Sequence, residues 1–444
     1  MLMTACYRKL TFFVLLSAFG TLQSQTELTL QACLQEAYQN SNLLRAADYT
    51  LAASEERLQQ STNRRLPTLA GRGSYLRIGK ITSFSVPMGP GGPVREFRFG
   101  TPNRINGDIS LNVPIFTWGS LQAQIDAARL GVKMSEEDRR QKALEVTDQV
   151  LRAFYTVLLN QEALRTAQLQ FERAEKNALA AQERFAAGHA PKLESLRAEV
   201  QRSNALAQLE EARSAYEKSL LWLAKTIGHE GEALIVAGKL EFVPATVNAD
   251  SLIDRALERR IDLKLLDLQR QTIARQADIV AASLRPALSG VASYSIQNGF
   301  SPMDPEKFVD NWNVGVQLSF PFFDGFQTRH RLQEIEKQMS ALTYQQKEIR
   351  ELVAVQIRQT VETLKSAEQR VLTQKESRLL AQESLQSAEL QYEKGTISSL
   401  DLLAAQQQLA ETELAELRAL FSHITAKIDL CRAVGDYSLF EFNP

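Results

Sequence analysis

The 444-residue chain predicts an α+β membrane protein. It reads as two copies of one unit, each joining long coiled-coil helical hairpins to two of four membrane-spanning β-strands. Three observations predict this: an internal repeat, two very long stretches almost free of helix breakers, and strand segments of strict polar–apolar alternation.

The repeat comes first. Pro67-Thr68-Leu69-Ala70-Gly71-Arg72-Gly73-Ser74-Tyr75 returns as Pro286-Ala287-Leu288-Ser289-Gly290-Val291-Ala292-Ser293-Tyr294, with Pro, Leu, Gly, Ser and Tyr at a constant offset of 219. Pro114, Phe185, Gly188, Leu193, Leu196, Gln201 and Gly228 return as Pro321, Tyr392, Gly395, Leu400, Leu403, Gln408 and Gly435, at an offset of 207. A duplication on this scale sets the architecture before any single side chain does. It divides the chain into a first copy over 25–228 with a hairpin at 67–117, a connector over 229–250, a second copy over 251–435 with a hairpin at 286–323, and a tail over 436–444.

Residues 1–24 read as a cleaved secretory leader. Arg8 and Lys9 precede an apolar run from Leu10 to Phe19, too short to span a bilayer, and Leu22-Gln23-Ser24 resembles a cleavage site ahead of Gln25. Cys6 lies before the apolar run, where a lipid-bearing cysteine would not sit. Loss of Arg8 and Lys9 takes the net charge from −1 to −3, which offers no field for nucleic acid. No other run approaches the length of a membrane helix, so a membrane location requires a barrel.

Helices follow from the glycine and proline map. Leu121–Ala187 and Gln327–Lys394 are rich in Ala, Leu, Gln, Glu and Arg, and read as helices of roughly 100 Å. Ala381, Leu385, Ala388 and Tyr392 step by four, three and four, a coiled-coil spacing. Shorter helices are predicted over 30–63, 191–227, 251–283 and 398–434. Two short helices end to end match one long one, which suggests a tall wall of antiparallel pairs.

The strands alternate. Asp108-Ile109-Ser110-Leu111-Asn112-Val113-Pro114-Ile115 does so, and so does Asn311-Trp312-Asn313-Val314-Gly315-Val316-Gln317-Leu318-Ser319-Phe320-Pro321-Phe322. A soluble sheet on a core has this period, as does a barrel strand between lipid and water. Phe116, Trp118, Trp312, Phe320, Phe322 and Phe323 favour the second reading, as an interfacial aromatic girdle. Residues 81–106 and 297–310 read as exposed loops between strands. Four strands cannot close a barrel and open edges cannot face lipid, so several chains must share one. Pro114 and Pro321 are expected to bend the chain where strand meets helix.

Catalytic chemistry has no foothold. His189, His229, His330 and His423 are scattered, with no metal spacing, no phosphate loop and no nucleophile elbow. Neither an enzyme nor a cofactor is expected. Cys33 and Cys431 read either as a disulfide or as two buried thiols.

Two strings then carry a family resemblance. Val113-Pro114-Ile115-Phe116-Thr117-Trp118-Gly119 and Phe320-Pro321-Phe322-Phe323-Asp324-Gly325 are two copies of strand–Pro–aromatic–Gly. Tyr392-Glu393-Lys394-Gly395-Thr396-Ile397-Ser398-Ser399-Leu400-Asp401-Leu402-Leu403 looks like a helix-tip signature, with a looser copy from Phe185 and Gly188 to Leu196. Over residues 28–435 the chain resembles the outer-membrane efflux protein family, the TolC-like channels. The resemblance implies a homotrimer with a shared twelve-stranded barrel in the outer membrane and a helical tunnel through the periplasm. It implies a periplasmic adaptor and an inner-membrane pump of RND or ABC type as partners, in efflux or type I secretion.

The resemblance also assigns residues. Asp401 and Glu194, six positions after the tip glycines Gly395 and Gly188, would narrow the pore with six carboxylates in a trimer. Each also reads as a first-turn acid at a helix N-terminus, and Asp401 follows Ser398 at capping-box spacing. Tyr392, Phe185 and Arg197 neighbour this gate. Gly188, His189, Ala190, Gly395, Thr396 and Ile397 form the tip turns expected to meet the adaptor, or are plain turn chemistry. The sequence departs from some relatives at Ala404, where a second aspartate is found, and at Ile397, where a tip arginine is found. Beside the export duct, a periplasmic coiled-coil scaffold and a secreted adhesin of stacked helices stay open.

Overall fold

The structure, a computed structural model, describes residues 27–229, 234–301 and 304–442; the expected leader lies outside them. In chain order the elements are β1 (Glu27–Leu28), α1 (Leu30–Asn40), α2 (Asn42–Asn63), β2 (Thr68–Arg77), β3 (Thr82–Pro87), β4 (Val94–Phe99), β5 (Asn103–Phe116), α3 (Ser120–Ala186), α4 (Lys192–Ile227), β6 (Ile235–Val236), α5 (Ala249–Arg259), α6 (Ile261–Ala282), β7 (Ala287–Gln297), β8 (Val309–Ser319), α7 (Gln327–Glu393) and α8 (Ser399–Val434).

The long helices α3 and α7 have 67 residues each, which at 1.5 Å per residue is about 100 Å. On its sheet-side half α3 packs against α2 and α6, and on its far half against α4. Arg64 and Arg65, just past α2, bond Gln124 and Gln122 at the start of α3, while Asn160 bonds the Ala215 carbonyl of α4. α7 packs against α6 and then α8. The cores lie at mid-height, where the short helices end. Cys33, Val150, Phe154, Val157, Leu223, Ile227 and Ile428 fill one, and Ala256, Val353, Ile357, Val361, Leu364, Leu430 and Val434 the other. Toward the tips the core thins to Ala381, Leu385 and Leu409.

Two sequence expectations need correction, and a third feature was not anticipated at all. The helices expected over 30–63 and 251–283 are each broken, at Ser41 and Arg260, which correspond under the offset of 219. At the first break the Ser41 hydroxyl accepts from Leu44 N–H and starts a new helix. The end of α4 seats there: Gly228, with φ 70°, lies so close that an added Cβ would be 2.7 Å from Asn40 Cβ. Gly435, with φ 77°, faces Arg260 at 3.6 Å in the same way. A glycine-free kink is invisible to a reading that looks for glycine and proline. Second, the loop over 81–106 contains a hairpin of its own, β3 paired with β4 from Thr82↔Phe99 to Pro87↔Val94. Third, β1 and β6 form a short parallel pair that ties the N-terminal segment to the connector.

Cys33 and Cys431 are separate buried thiols, each pushed up to about 12 by burial. The connector is held on the helical wall by polar contacts. Glu368 accepts from Ala245 N–H at 2.8 Å and Lys427 donates to the Val243 carbonyl at 2.5 Å. Between them His423 is fully buried against Phe242, and burial holds its ring below the usual histidine range.

The main sheet is antiparallel in the order β2-β5-β7-β8. Its register sorts the faces. Leu69, Leu111, Ala292 and Val314 form one row across the four strands, and Ala70, Ser110, Ser293 and Asn313 form the next, on the other face. Asn313 Nδ2 donates to Ser293 Oγ at 2.7 Å along that polar row.

Candidate functional site at the helix tips

Both tips turn alike. Gly188 and Gly395 take φ 73°, a left-handed conformation that costs a glycine little. His189 N–H reaches back to the Arg184 carbonyl at 2.8 Å, and Thr396 N–H to the Gln391 carbonyl at 3.0 Å, the six-to-one bond that ends a helix before its return. His189 and Thr396 are exposed, and Ala190 and Ile397 half-buried.

Above the turns the two carboxylates part company. Asp401 folds onto its own N-cap: Ser398 N–H and Oγ–H donate to Asp401 Oδ2 at 3.1 and 2.7 Å, and Asp401 N–H donates to Ser398 Oγ at 3.3 Å. The Ser398 hydroxyl holds the Asp401 carboxyl below the usual carboxylate range. At Glu194 the N-cap is Pro191, whose side chain has no hydrogen-bonding group. Glu194 instead accepts from the Tyr392 hydroxyl of the other hairpin at 3.1 Å. Arg184 Nη1 donates to the same phenol oxygen at 2.6 Å, and its guanidinium stacks 5.2 Å from the Tyr392 ring centroid. Burial and the Glu194 carboxylate raise the Tyr392 phenol above its usual value.

These three side chains line a cleft of about 300 Å³ between the α3–α4 and α7–α8 hairpins, with Arg197 on its wall. Asn177 Nδ2 donates to Gln406 Oε1 at 3.0 Å higher up, a second bridge across it. Phe185, the repeat counterpart of Tyr392, has no hydroxyl and is half exposed. Arg184 belongs to none of the sequence motifs of the tip. Its signal was positional: it precedes Phe185, one turn before Gly188.

At the other end the aromatic residues form two levels rather than one girdle. Phe116 and Trp118 stack edge to face at 5.0 Å, and Phe320 and Phe322 at 4.7 Å, all where strands meet helices. Trp312 lies opposite Tyr294 near the loops. Eight residues of strand separate Trp312 from Phe320, about 26 Å at 3.3 Å per residue. Pro114 sits inside β5, where the pairing with β7 shifts register, and Pro321 follows β8. The left-handed residues come later, as the pairs Trp118-Gly119 and Gly325-Phe326, counterparts under the offset of 207. Among the described residues no helix is long and apolar enough to cross a membrane, and no cluster of His, Cys, Asp and Glu could hold a metal.

The model of the family described as "Outer membrane efflux protein" matches residues 33–229 and 252–436, both repeats and nothing of the connector between them. The chain belongs to the outer membrane efflux protein family. Its function is transport out across the outer membrane. Among similar members is the cation efflux system protein CusC of Escherichia coli O157:H7, 26% identical over 431 residues that cover 90% of this chain and 85% of that one. The pyoverdine export outer membrane protein OpmQ of Pseudomonas aeruginosa is 25% identical over 331 residues, covering 74% of this efflux protein and 69% of its relative. The CmeC outer membrane channel of Campylobacter jejuni has the same fold, with a TM-score of 0.73 at 18% identity over 91% of this chain and 85% of that one.

Proposed function

We propose that three copies of this chain form an exit duct, with one twelve-stranded barrel in the outer membrane and a helical tunnel reaching through the periplasm. The carrying observation is the sheet. It has one apolar face, one polar face and two free edges, and it stands on helices of about 100 Å. Free edges are excluded from lipid, and Trp312 and Phe320 stand about 26 Å apart, close to the apolar band of a barrel wall. A periplasmic adaptor meets the exposed turns at Gly188, His189, Ala190, Gly395, Thr396 and Ile397, and delivers cargo from an inner-membrane pump.

Within this reading the cluster of Arg184, Tyr392 and Glu194 is a clasp between hairpins, and Asp401, Glu194 and Arg197 face the narrow inner mouth. The phenol–carboxylate bond and the cation–π contact are worth about 1 kcal/mol each at an exposed site.

Protease treatment of intact cells tests the placement. Cleavage is expected only within 81–106 and 297–310, and cleavage in α3 or α7 from outside would overturn it.

A further inference from the structure

The junction between sheet and helices carries charge as well as aromatic rings. Arg64 and Arg65, just past α2, bond the neutral Gln124 and Gln122 at the start of α3. Arg285 follows α6, and its guanidinium lies 5.5 Å from the Trp118 ring centroid. Ser283 Oγ and Thr328 Oγ1 bond at 3.3 Å, which sets the start of α7, with Arg329 and Arg331, at the same level. These arginines are all exposed, and among the described residues none has a carboxylate partner. Nearby acids are engaged elsewhere. Asp324 accepts from Thr328 N–H at 2.8 Å, and Asp126 accepts from Arg129 and Gln122 at 2.8 and 2.9 Å. Farther down the wall arginines do find acids, as Arg139 finds Asp48 and Arg275 finds Asp278.

We propose that these arginines bind the phosphates of anionic phospholipids in the periplasm-facing leaflet of the outer membrane, with Arg285 on Trp118 at the centre of the contact. The inference rests on the barrel placement proposed above and goes beyond it in assigning a lipid class and the side chains that select it.

Three observations support it. The first is depth. Phe116 and Trp118 stand where strands meet helices, and aromatic rings settle at the level of the headgroups. A guanidinium stacked on such a ring holds its charge at that depth, and its planar fork fits phosphate oxygens two at a time. The second is side. Phe116 pairs with Leu288, on the apolar face of the sheet, and Trp118 stacks on Phe116. Arg285 therefore stands with the face turned to lipid. The third comes from the repeat. Under the offset of 219 Arg64, Arg65 and Leu66 correspond to Ser283, Leu284 and Arg285, and under the offset of 207 Gln122 and Gln124 correspond to Arg329 and Arg331. The first copy puts its arginines after the short helix with glutamines opposite. The second puts two at the start of the long helix, with Ser283 and Leu284 in the places of Arg64 and Arg65. The internal contacts were exchanged and the charge stayed at one height, where a surplus of cations attracts anionic lipid.

Fluorescence of the full chain in phosphatidylcholine vesicles tests this, with Trp222→Phe and Trp312→Phe so that Trp118 alone reports. Brominated phosphatidylglycerol should quench Trp118 as if enriched on the order of tenfold over brominated phosphatidylcholine at the same mole fraction, and Arg285→Gln should cut that enrichment about fivefold. Adding Arg329→Gln and Arg331→Gln should abolish it, while Arg285→Lys, which keeps the charge, should retain most of it. Native mass of the chain with its tryptophans intact reads the same preference as retained lipid, so a reporter that folds poorly does not decide the outcome. Equal quenching by the two lipids, or a preference that survives all three glutamines, overturns the proposal. Loss of the preference in millimolar inorganic phosphate overturns the lipid as its source and leaves a site for the free anion. Quenching of Trp118 by neither lipid overturns the barrel placement itself.

Discussion

The two tips have the same backbone and different chemistry. Gly188 and Gly395 share one φ, and the helices before them end with the same bonds. Yet Glu194 reaches across to the other hairpin while Asp401 closes on its own cap. The cause is one residue three places earlier. Ser398 offers a hydroxyl that completes a capping box, and its counterpart Pro191 cannot. Tyr392 then supplies a donor that Phe185 lacks. The duplication fixed where the carboxylates stand, and small side-chain changes decided whether each holds a helix or holds two hairpins together.

The comparison breaks most severely at Arg184. Arg184→Ala removes both the hydrogen bond and the ring contact, so open probability in a planar bilayer should rise on the order of tenfold, about 1.4 kcal/mol. The counterpart change Gln391→Ala should leave it unaltered. Pro191→Ser sharpens the contrast. It gives the first tip the cap of the second, draws Glu194 back from Tyr392 and should raise conductance by about half as much on the logarithmic scale as Arg184→Ala, while stabilising the start of α4 by about 1 kcal/mol. Ser398→Ala should speed amide exchange in the first turn of α8 about fivefold, for about 1 kcal/mol, with little effect on conductance.

The smallest effect is that of pH. The Asp401 carboxyl is depressed in the folded chain, so its capping contribution is complete above the ordinary aspartate value and is lost as pH falls through the depressed one. Tyr392 is raised, so the clasp donor is complete below the ordinary tyrosine value and is lost only as pH rises through the raised one. Amide exchange at the tips, corrected for intrinsic rates, should therefore be flat between about pH 5 and 9.

Much of this was legible in the sequence, because repeat offsets and strand alternation are long-range patterns that tertiary packing reinforces. Thr68–Tyr75 and Ala287–Tyr294 announced equivalent strands, and Gly188 and Gly395 announced equivalent turns. The breaks at Ser41 and Arg260 were not legible. They arise because the ends of α4 and α8 press on those points in space, and neither site has a glycine or proline. The β3–β4 hairpin was hidden by the prolines and glycines around it, which cluster in its turn and flanks. Arg184 was overlooked because a lone arginine near a helix end reads as a solvated charge. Its partner Tyr392 lies 208 residues away.

The most direct measurement is the single-channel conductance of the purified protein in a planar bilayer, wild type against Tyr392→Phe. This variant keeps the ring and deletes only the hydroxyl shared by Arg184 and Glu194. A small wild-type conductance that rises severalfold in the variant is the result expected of a duct clasped between its hairpins. Equal conductance in the two proteins would contradict the clasp, and no conductance from well-inserted trimers of either would contradict the duct.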